Sequence, residues 1–153
     1  IILILLGGNM FAGVFVATGG VSVAEEIIRN ANLTPWLTLA VFLGICFVAG
    51  FVLDWISVLL IFIPVFIPII KVLGYDPVWF CVMFLVVIQT SYLTPPMAPA
   101  IFYLRGISPP EITLPHMFKG VVPFIILQLI VLVIVGWFPQ LVLWLPAQLL
   151  GFR

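Results

Sequence analysis

Charged side chains are scarce in this 153-residue chain: 7% of the residues are Asp, Glu, Lys or Arg, and 65% are hydrophobic. A soluble domain carries about 25% charged residues because its surface must face water. So few charges cannot cover a water-soluble globule, and the apolar surface is therefore expected to face lipid. The composition predicts an integral membrane protein of the all-α class.

Other absences exclude whole classes of function. The formal net charge is zero and no basic run occurs, so we expect no nucleic-acid partner. Cys46 and Cys81 stand in apolar runs without a second Cys or a His nearby, which argues against a disulfide or a zinc site. Neither Asp54 nor His116 has an acid–base partner at helical spacing. We therefore expect no enzyme activity and no organic cofactor.

The start of the chain is informative about its origin. The first residue is Ile1, and the first charged residue is Glu25. A signal peptide would begin with a positively charged region, so we interpret this start as a cut through a longer protein. We expect the N-terminal half of that protein to be missing from the chain.

Two long apolar stretches predict transmembrane helices, one over residues 1–20 and one over residues 120–146. Spanning the hydrocarbon core takes about 20 helical residues. The tryptophans other than Trp55 are expected at the lipid–water interface, where their amphipathic rings are favoured.

Two shorter segments carry most of the charge and predict helices that lie in the membrane interface, over residues 21–34 and 108–119. Each begins with a sequence typical of a capping box, Ser22 to Glu25 in the first and Ser108 to Glu111 in the second. The shared pattern is a weak indication of an internal repeat. The alternative is that both segments are ordinary polar loops.

The first irregular region covers residues 35–72. Two apolar arms meet at Asp54, and each would measure about 24–27 Å as a helix, slightly short of a full crossing. Either these are two short spanning helices with Asp54 in an interfacial turn, or they form a re-entrant hairpin whose tip ends inside the membrane. Irregular backbone at that depth is tolerated only where it is buried in protein or lines a wet cavity.

The second irregular region covers residues 77–106. A single helix over 77–104 would measure about 42 Å, too long for one comfortable crossing. Pro95 and Pro96 lack N–H groups and would free the carbonyls of Ser91 and Tyr92, so a discontinuous transmembrane helix is predicted. Its break contains the candidate ion- or substrate-binding residues Gln89, Thr90, Ser91, Thr94, Pro95 and Pro96.

Freed carbonyls and hydroxyls are hard oxygen donors of the kind that suit Na⁺. The start of the following half-helix, near Met97, would point the positive end of its dipole at an anion. Many secondary transporters build their sites from broken helices in this way. The alternative is a kinked structural helix whose hydroxyl groups bond to their own backbone.

An ordered set of motifs resembles the large membrane subunit of the TRAP (tripartite ATP-independent periplasmic) transporters, in its C-terminal repeat. The set extends over about residues 35–140 and consists of Ala49-Gly50-Phe51-Val52-Leu53-Asp54, Ile63-Pro64, Ile67-Pro68, Leu73-Gly74-Tyr75-Asp76-Pro77 and Leu93-Thr94-Pro95-Pro96.

This resemblance implies an elevator-type carrier with the ion-transporter fold, interfacial arm helices and a re-entrant hairpin over 35–72. It implies Na⁺ as the coupling ion, bound near Gly50, Ser91 and Thr94, with Asp54 at the hairpin tip. The substrate would be a small carboxylate delivered by a periplasmic substrate-binding protein. The resemblance also implies a small TRAP membrane subunit, separate or fused, as a partner. It implies a location in the inner membrane of a bacterium or archaeon.

The residues alone are also compatible with two other functions. One is a channel, which needs a row of polar side chains along a span, where residues 121–145 offer Gln128 and Gln140. The other is a conventional anion carrier that works without a binding protein. Asp54 has a structural alternative as well, because an acidic residue can cap the start of the second hairpin arm.

Overall fold

The computed structural model describes residues 2–95 and 98–150, and within these ranges all the regular structure is helical. This confirms the all-α class. In chain order the helices are α1 (Ile2–Ala17), α2 (Gly20–Asn30), α3 (Pro35–Ala49), α4 (Trp55–Val72), α5 (Pro77–Leu93), α6 (Pro99–Ile107), α7 (Leu114–Trp137) and α8 (Gln140–Leu150).

Two of these helices, α4 and α7, are long and apolar enough to cross a membrane by themselves. Helices α1 and α2 pass the same test as a pair but are bent by 65° at their junction, and α3 and α5 are apolar but shorter. Helix α7 leaves large apolar side chains such as Phe124 and Leu127 exposed, as a surface in contact with lipid or with other membrane helices would. The chain is therefore a multi-pass membrane protein.

Helices α3 and α5 each begin at an oxygen-bearing cap, which explains where the chain turns. The side chain of Thr34 accepts a hydrogen bond from the N–H of Leu37 at the start of α3. The carboxylate of Asp76 accepts from the N–H groups of Val78 and Trp79 at the start of α5. A proline at the first helical position follows both caps, where its missing N–H costs nothing.

Helix α5 is the centre of the bundle, since it packs against α3, α4, α6, α7 and α8. It is apolar on all sides, as a helix surrounded by other helices must be. Its buried side chains are Trp79, Phe80, Met83, Phe84, Val87, Ile88, Thr90 and Ser91.

A column of aromatic rings joins α5 to both arms of the α3–α4 hairpin. Phe42 of α3 stacks on Phe66 of α4 with ring centroids 4.1 Å apart. Phe66 in turn meets Phe80 of α5 edge-on at 6.3 Å, and Phe80 lies 6.1 Å from Phe84. Aromatic pairs contribute about 0.5–1.5 kcal/mol each beyond their buried area. The three helices thus form one packed unit.

One tryptophan does not lie where the sequence predicted. Trp79 is 2% exposed and donates its indole N–H to the backbone carbonyl of Val135 in α7 over 2.7 Å. The expectation of an interfacial position is wrong for this residue, because a carbonyl near the end of α7 provides the partner that a buried indole requires. Trp36, Trp137 and Trp144 are more than half exposed, as interfacial residues would be.

Helix α2 begins earlier than the predicted capping box. Gly19 adopts a left-handed conformation with φ of +79° directly after α1, so the chain turns there and α2 starts at Gly20. Ser22 consequently lies inside the first turn of α2 and does not cap it.

The predicted interfacial helix over 108–119 also differs from the structure. Residues 108–113 form turns and bends, and the guanidinium of Arg105 donates to the carbonyl of Ile112 over 2.7 Å. The capping box lies instead at Thr113 and His116, and α7 continues from there into the apolar span. Pro110 disfavours the helical conformation at Pro109, the predicted first helical residue, which favours the later helix start.

The predicted span over 120–146 is divided between two helices. Phe138 ends α7 with φ of −120° and ψ of 72°, outside the helical region, and α8 begins at Gln140. Pro139 lies between them, and the residue before a proline is disfavoured in the helical conformation.

Helix α1 approaches α4 most closely at Gly8. A Cβ atom at Gly8 would lie 2.9 Å from the Cβ of Leu60 and 3.5 Å from its carbonyl oxygen. Pro64, one turn later inside α4, has no N–H to give that carbonyl. The absence of a side chain at Gly8 therefore lets α1 pack directly on the α4 backbone.

We expect Gly8→Ala to lower the free energy of unfolding by about 1–3 kcal/mol, because overpacking forces the two helices apart. The measurement is an SDS unfolding titration of the complete purified protein. Gly7→Ala is the matched control, since a Cβ at Gly7 meets nothing within 4 Å. Equal losses of stability in both variants would contradict the close α1–α4 packing.

Candidate functional site

The candidate site begins at the tip of the α3–α4 hairpin, residues 50–54. The N–H of Gly50 donates to the carbonyl of Cys46 over 2.9 Å, and the N–H groups of Val52 and Leu53 both donate to the carbonyl of Ala49. The tip is thus an ordered turn, and it exposes the apolar side chain of Val52, which is 81% accessible.

Asp54 closes the tip as the cap of α4. One carboxylate oxygen accepts hydrogen bonds from the N–H groups of Ile56 and Ser57, each over 3.1 Å, and the other accepts from the Ser57 hydroxyl. This geometry is the structural alternative that the sequence left open for Asp54. Both carboxylate oxygens are therefore used in hydrogen bonds that cap the start of α4.

The tip approaches α5 closely where Gly50 meets Ser91. A Cβ atom at Gly50 would overlap the Oγ of Ser91 and would lie 3.0 Å from its Cβ. Gly50 is buried and Ser91 is 1% exposed. Only glycine permits this contact, which brings together two of the residues predicted for the ion site.

The break between α5 and α6 lies one turn beyond Ser91. Helix α5 ends at Leu93, and Thr94 is extended with ψ of 134°, as expected for a residue before proline. Helix α6 begins at Pro99 after Ala98, whose φ of +32° is rare for a residue with a side chain. Of the other predicted residues, Pro95 is described, and Pro96 and Met97 lie outside the described residues.

The hydroxyl groups at the break bond to nearby carbonyls. Ser91 Oγ donates to the carbonyl of Ile88 over 2.8 Å, Thr90 Oγ1 donates to Val86 over 2.7 Å, and Thr94 Oγ1 donates to Thr90 over 2.7 Å. Each hydroxyl uses its proton in this way and keeps lone pairs on its oxygen. This is the bonding pattern of the structural alternative that the sequence left open, and each oxygen keeps lone pairs with which it could also accept a cation.

The carbonyl of Ser91, predicted to be free, accepts the N–H of Thr94 over 3.2 Å. This bond tightens the last turn of α5 in the 3₁₀ manner. A carbonyl oxygen has two lone pairs, so one remains available for a ligand. The prediction of an entirely unpaired Ser91 carbonyl is thus wrong, although its capacity to accept a cation is retained.

Gln89 and Thr90 face away from the hairpin tip. Gln89 lines a cleft of about 470 Å³ between α5 and α7, together with Gln128 of α7. Thr90 lines a separate groove of about 350 Å³ that is bounded by Gly44 of α3 and Leu129 of α7. The structure therefore divides the predicted set: Gly50 and Ser91 meet, and the two preceding residues of α5 point elsewhere because successive helical positions differ by about 100°.

Gln128 is a polar residue that the sequence pointed to only as a possible pore-lining group. Its Oε1 atom is buried and has no hydrogen-bond partner among the described residues. A buried amide oxygen without a partner is costly in an apolar environment. The sequence signal for this residue was a single Gln inside a long apolar helix. Polar side chains in membrane spans are rare without a role, so such a Gln is a candidate functional residue.

The described residues contain no group of three or more His, Cys, Asp or Glu side chains that could hold a metal ion. The oxygens beside the Gly50–Ser91 contact are hydroxyl and carbonyl oxygens. Such ligands are neutral and hard, and they match an alkali ion better than a transition metal.

Comparison with known proteins identifies what the chain resembles as a whole. The family model described as "Tripartite ATP-independent periplasmic transporter, DctM component" matches residues 1–141. The match includes the hairpin, the broken helix and the whole of α7.

Three curated relatives illustrate the similarity. Uncharacterized protein YgiK of Salmonella typhimurium is 31% identical over 95% of the chain and 33% of its own length. The sialic acid TRAP transporter large permease protein SiaM of Vibrio cholerae is 33% identical over 67% of the chain and 24% of its own length. The C4-dicarboxylate TRAP transporter large permease protein DctM of Vibrio cholerae is 29% identical over 82% of the chain and 27% of its own length.

The chain thus spans between about a quarter and a third of the length of these relatives. No solved structure matches it significantly.

We expect Gly50→Ala to lower the thermal stability of the complete protein, because the new methyl group overlaps Ser91 and overpacking costs about 1–3 kcal/mol. The measurement is the Tm in detergent. Gly44→Ala is the control on the same helix, since a Cβ there meets nothing within 4 Å.

The double variant Gly50→Ala/Ser91→Gly removes both side-chain atoms that the new methyl group would meet. It should regain most of the Tm that Gly50→Ala loses, beyond the sum of the two single changes. Purely additive losses would show that the two residues do not touch.

Proposed function

The chain belongs to the DctM component family of tripartite ATP-independent periplasmic (TRAP) transporters, and on that premise we propose that it forms part of a Na⁺-coupled, elevator-type carrier. The family is one of transporter components and not of enzymes. The proposed substrate is a small organic acid, delivered by a periplasmic substrate-binding protein.

The main support for this proposal is the close contact between Gly50 and Ser91. It sets a hairpin tip against the end of a broken helix, where hydroxyl and carbonyl oxygens have lone pairs to spare. Secondary transporters bind coupling ions at helix breaks of this kind. We propose that Na⁺ binds between Gly50, Ser91 and Thr94 and that α3 and α4 form a re-entrant hairpin over 35–72.

The packing of the hairpin on α5 supports the elevator mechanism. The Phe42–Phe66–Phe80 column joins both arms to the broken helix. A packed core of this kind moves as a unit and is not continuously deformable. The tip and the break would thus travel together and keep the ion site intact during transport.

The relatives support the substrate class and the partners. SiaM is named for sialic acid and DctM for C4-dicarboxylates, both of which are carboxylates. Both belong to TRAP systems, so we propose a small TRAP membrane subunit as a further partner and the bacterial or archaeal inner membrane as the location.

The direct test is uptake of radiolabelled sialic acid and of succinate by proteoliposomes that contain the complete permease. Uptake of either should require both an inward Na⁺ gradient and the cognate substrate-binding protein. Uptake that needs the Na⁺ gradient but no binding protein would identify a conventional carrier. Passive ion flux without solute uptake would instead favour a channel.

Substitutions at the break test the ion site separately. Ser91→Ala and Thr94→Ala each remove one oxygen, and we expect the Na⁺ concentration for half-maximal uptake to rise about ten-fold, as the loss of about 1.4 kcal/mol of binding implies.

Thr18→Ala is the matched control, because the Thr18 hydroxyl also donates to a carbonyl of its own helix but lies at the end of α1. Unchanged Na⁺ activation in both test variants would remove Ser91 and Thr94 from the ion site, while leaving the transport function itself untouched.

A further inference from the structure

A polar cleft lies where α2 meets the C-terminal end of α4, far from the hairpin tip along α4. Its volume is about 390 Å³. The polar wall consists of Glu25, Arg29 and Asn32, and the apolar wall includes Ile28, Ile69 and Leu73. The lining of the cleft therefore combines charged and apolar side chains.

The position of the cleft relative to a bilayer follows from its two helices. Helix α4 is long and apolar enough to cross a membrane, and Lys71 is the first charged residue after its apolar run. The end of α4 consequently lies near the membrane surface. Helix α2 turns away from α1 by 65° and is amphipathic, as a helix in the interface would be. The cleft therefore lies at the depth of lipid headgroups.

The apolar and polar positions of α2 are separated around its axis. Val21, Ala24 and Ile28 pack on the core, and Ile27 is 62% exposed on the neighbouring side. Glu25 and Arg29 lie at the polar edge next to α4. The helix thus presents two opposite charges to the cleft between it and α4.

These two charges are close in sequence but do not neutralise each other. Glu25 and Arg29 are four residues apart on one helix, the spacing and order that favour an ion pair. Within residues 2–95 and 98–150, however, no carboxylate and cationic nitrogen approach within 4.0 Å. Both side chains are therefore available to a ligand that carries the complementary pair of charges.

We propose that this cleft binds the headgroup of a phospholipid that carries both a phosphate and a primary ammonium group, the chemistry of phosphatidylethanolamine. Arg29 donates charge-assisted hydrogen bonds to the phosphate, and Glu25 accepts from the ammonium. The apolar wall formed by Ile28 and Leu73 contacts the glycerol and the upper acyl chains, with the exposed Val72 beside them.

Charge complementarity selects this lipid over other common phospholipids. A choline headgroup has no N–H to donate to Glu25, and a glycerol headgroup brings a net negative charge toward that carboxylate. Arg29 contacts the phosphate of all three lipids. The discrimination therefore rests on Glu25, and the overall retention of lipid rests on Arg29.

The experiment measures bound lipid on the complete, delipidated permease by native mass spectrometry, in an equimolar mixture of phosphatidylethanolamine, phosphatidylcholine and phosphatidylglycerol. We expect about ten-fold preference for phosphatidylethanolamine over phosphatidylcholine, as one charged hydrogen bond implies. Glu25→Gln should bring that ratio close to one. Arg29→Gln should lower the occupancy of all three lipids.

Glu26→Gln is the matched control, because Glu26 is an exposed acid adjacent to Glu25 that does not line the cleft. It should leave both the ratio and the occupancy unchanged, and circular dichroism would check the folding of every variant. An identical lipid preference in Glu25→Gln and Glu26→Gln would overturn the proposal.

Water-soluble phosphoethanolamine distinguishes a lipid site from a site for a free zwitterion. It should fail to displace the lipid, because it lacks the acyl chains that contact the apolar wall. Displacement at concentrations equal to those of the lipid would overturn the lipid assignment. Since lipid binding is measured without transport, failure here would be distinct from failure of the proposed carrier function.

Discussion

The structure depends on the inability of hydrocarbon to hydrogen-bond with the backbone. In lipid, each peptide N–H and C=O must find a partner within the protein. The chain meets this requirement with side-chain caps at Thr34, Asp54 and Asp76, where one helix ends and the next begins. At the break after α5, the hydroxyl groups of Thr90, Ser91 and Thr94 bond to carbonyls of the same helix. An irregular segment can persist there because the break adjoins the packed hairpin tip.

Most of the architecture could be predicted from the sequence, because its causes are local. Low charge predicted the membrane class, and Pro95 predicted the end of α5. The contact between Gly50 and Ser91 could not be predicted in this way. Their separation in sequence allows no local argument, and only the resemblance to a family brought them together in advance.

Several failures arose because contacts in the folded structure, and not the spacing of residues in the sequence, decided the outcome. Trp79 was predicted to lie at the membrane interface, but it is buried because the carbonyl of Val135 accepts its indole N–H. The segment after Ser108 resembled a capped helix, but Arg105 bonds to the carbonyl of Ile112 and holds the segment as a turn. Gln89 stood beside the hydroxyl residues in sequence, whereas the rotation of the helix turned it toward α7. Sequence spacing alone does not reveal which neighbours surround a helix.

The bond between Trp79 and Val135 also bears on how the chain is assembled during synthesis. Its two ends are 56 residues apart, and ribosomes add about 5–20 residues per second, so the acceptor is made about 3–11 s after the donor. Until then the indole N–H cannot be buried without the cost of an unpaired polar group. The α3–α4 hairpin precedes α5 and can pack first, whereas α5 reaches its final position only after α7 has been translated. Helix α7 therefore supplies the hydrogen-bond partner that the buried Trp79 side chain of α5 requires, so the order of translation constrains the order of packing.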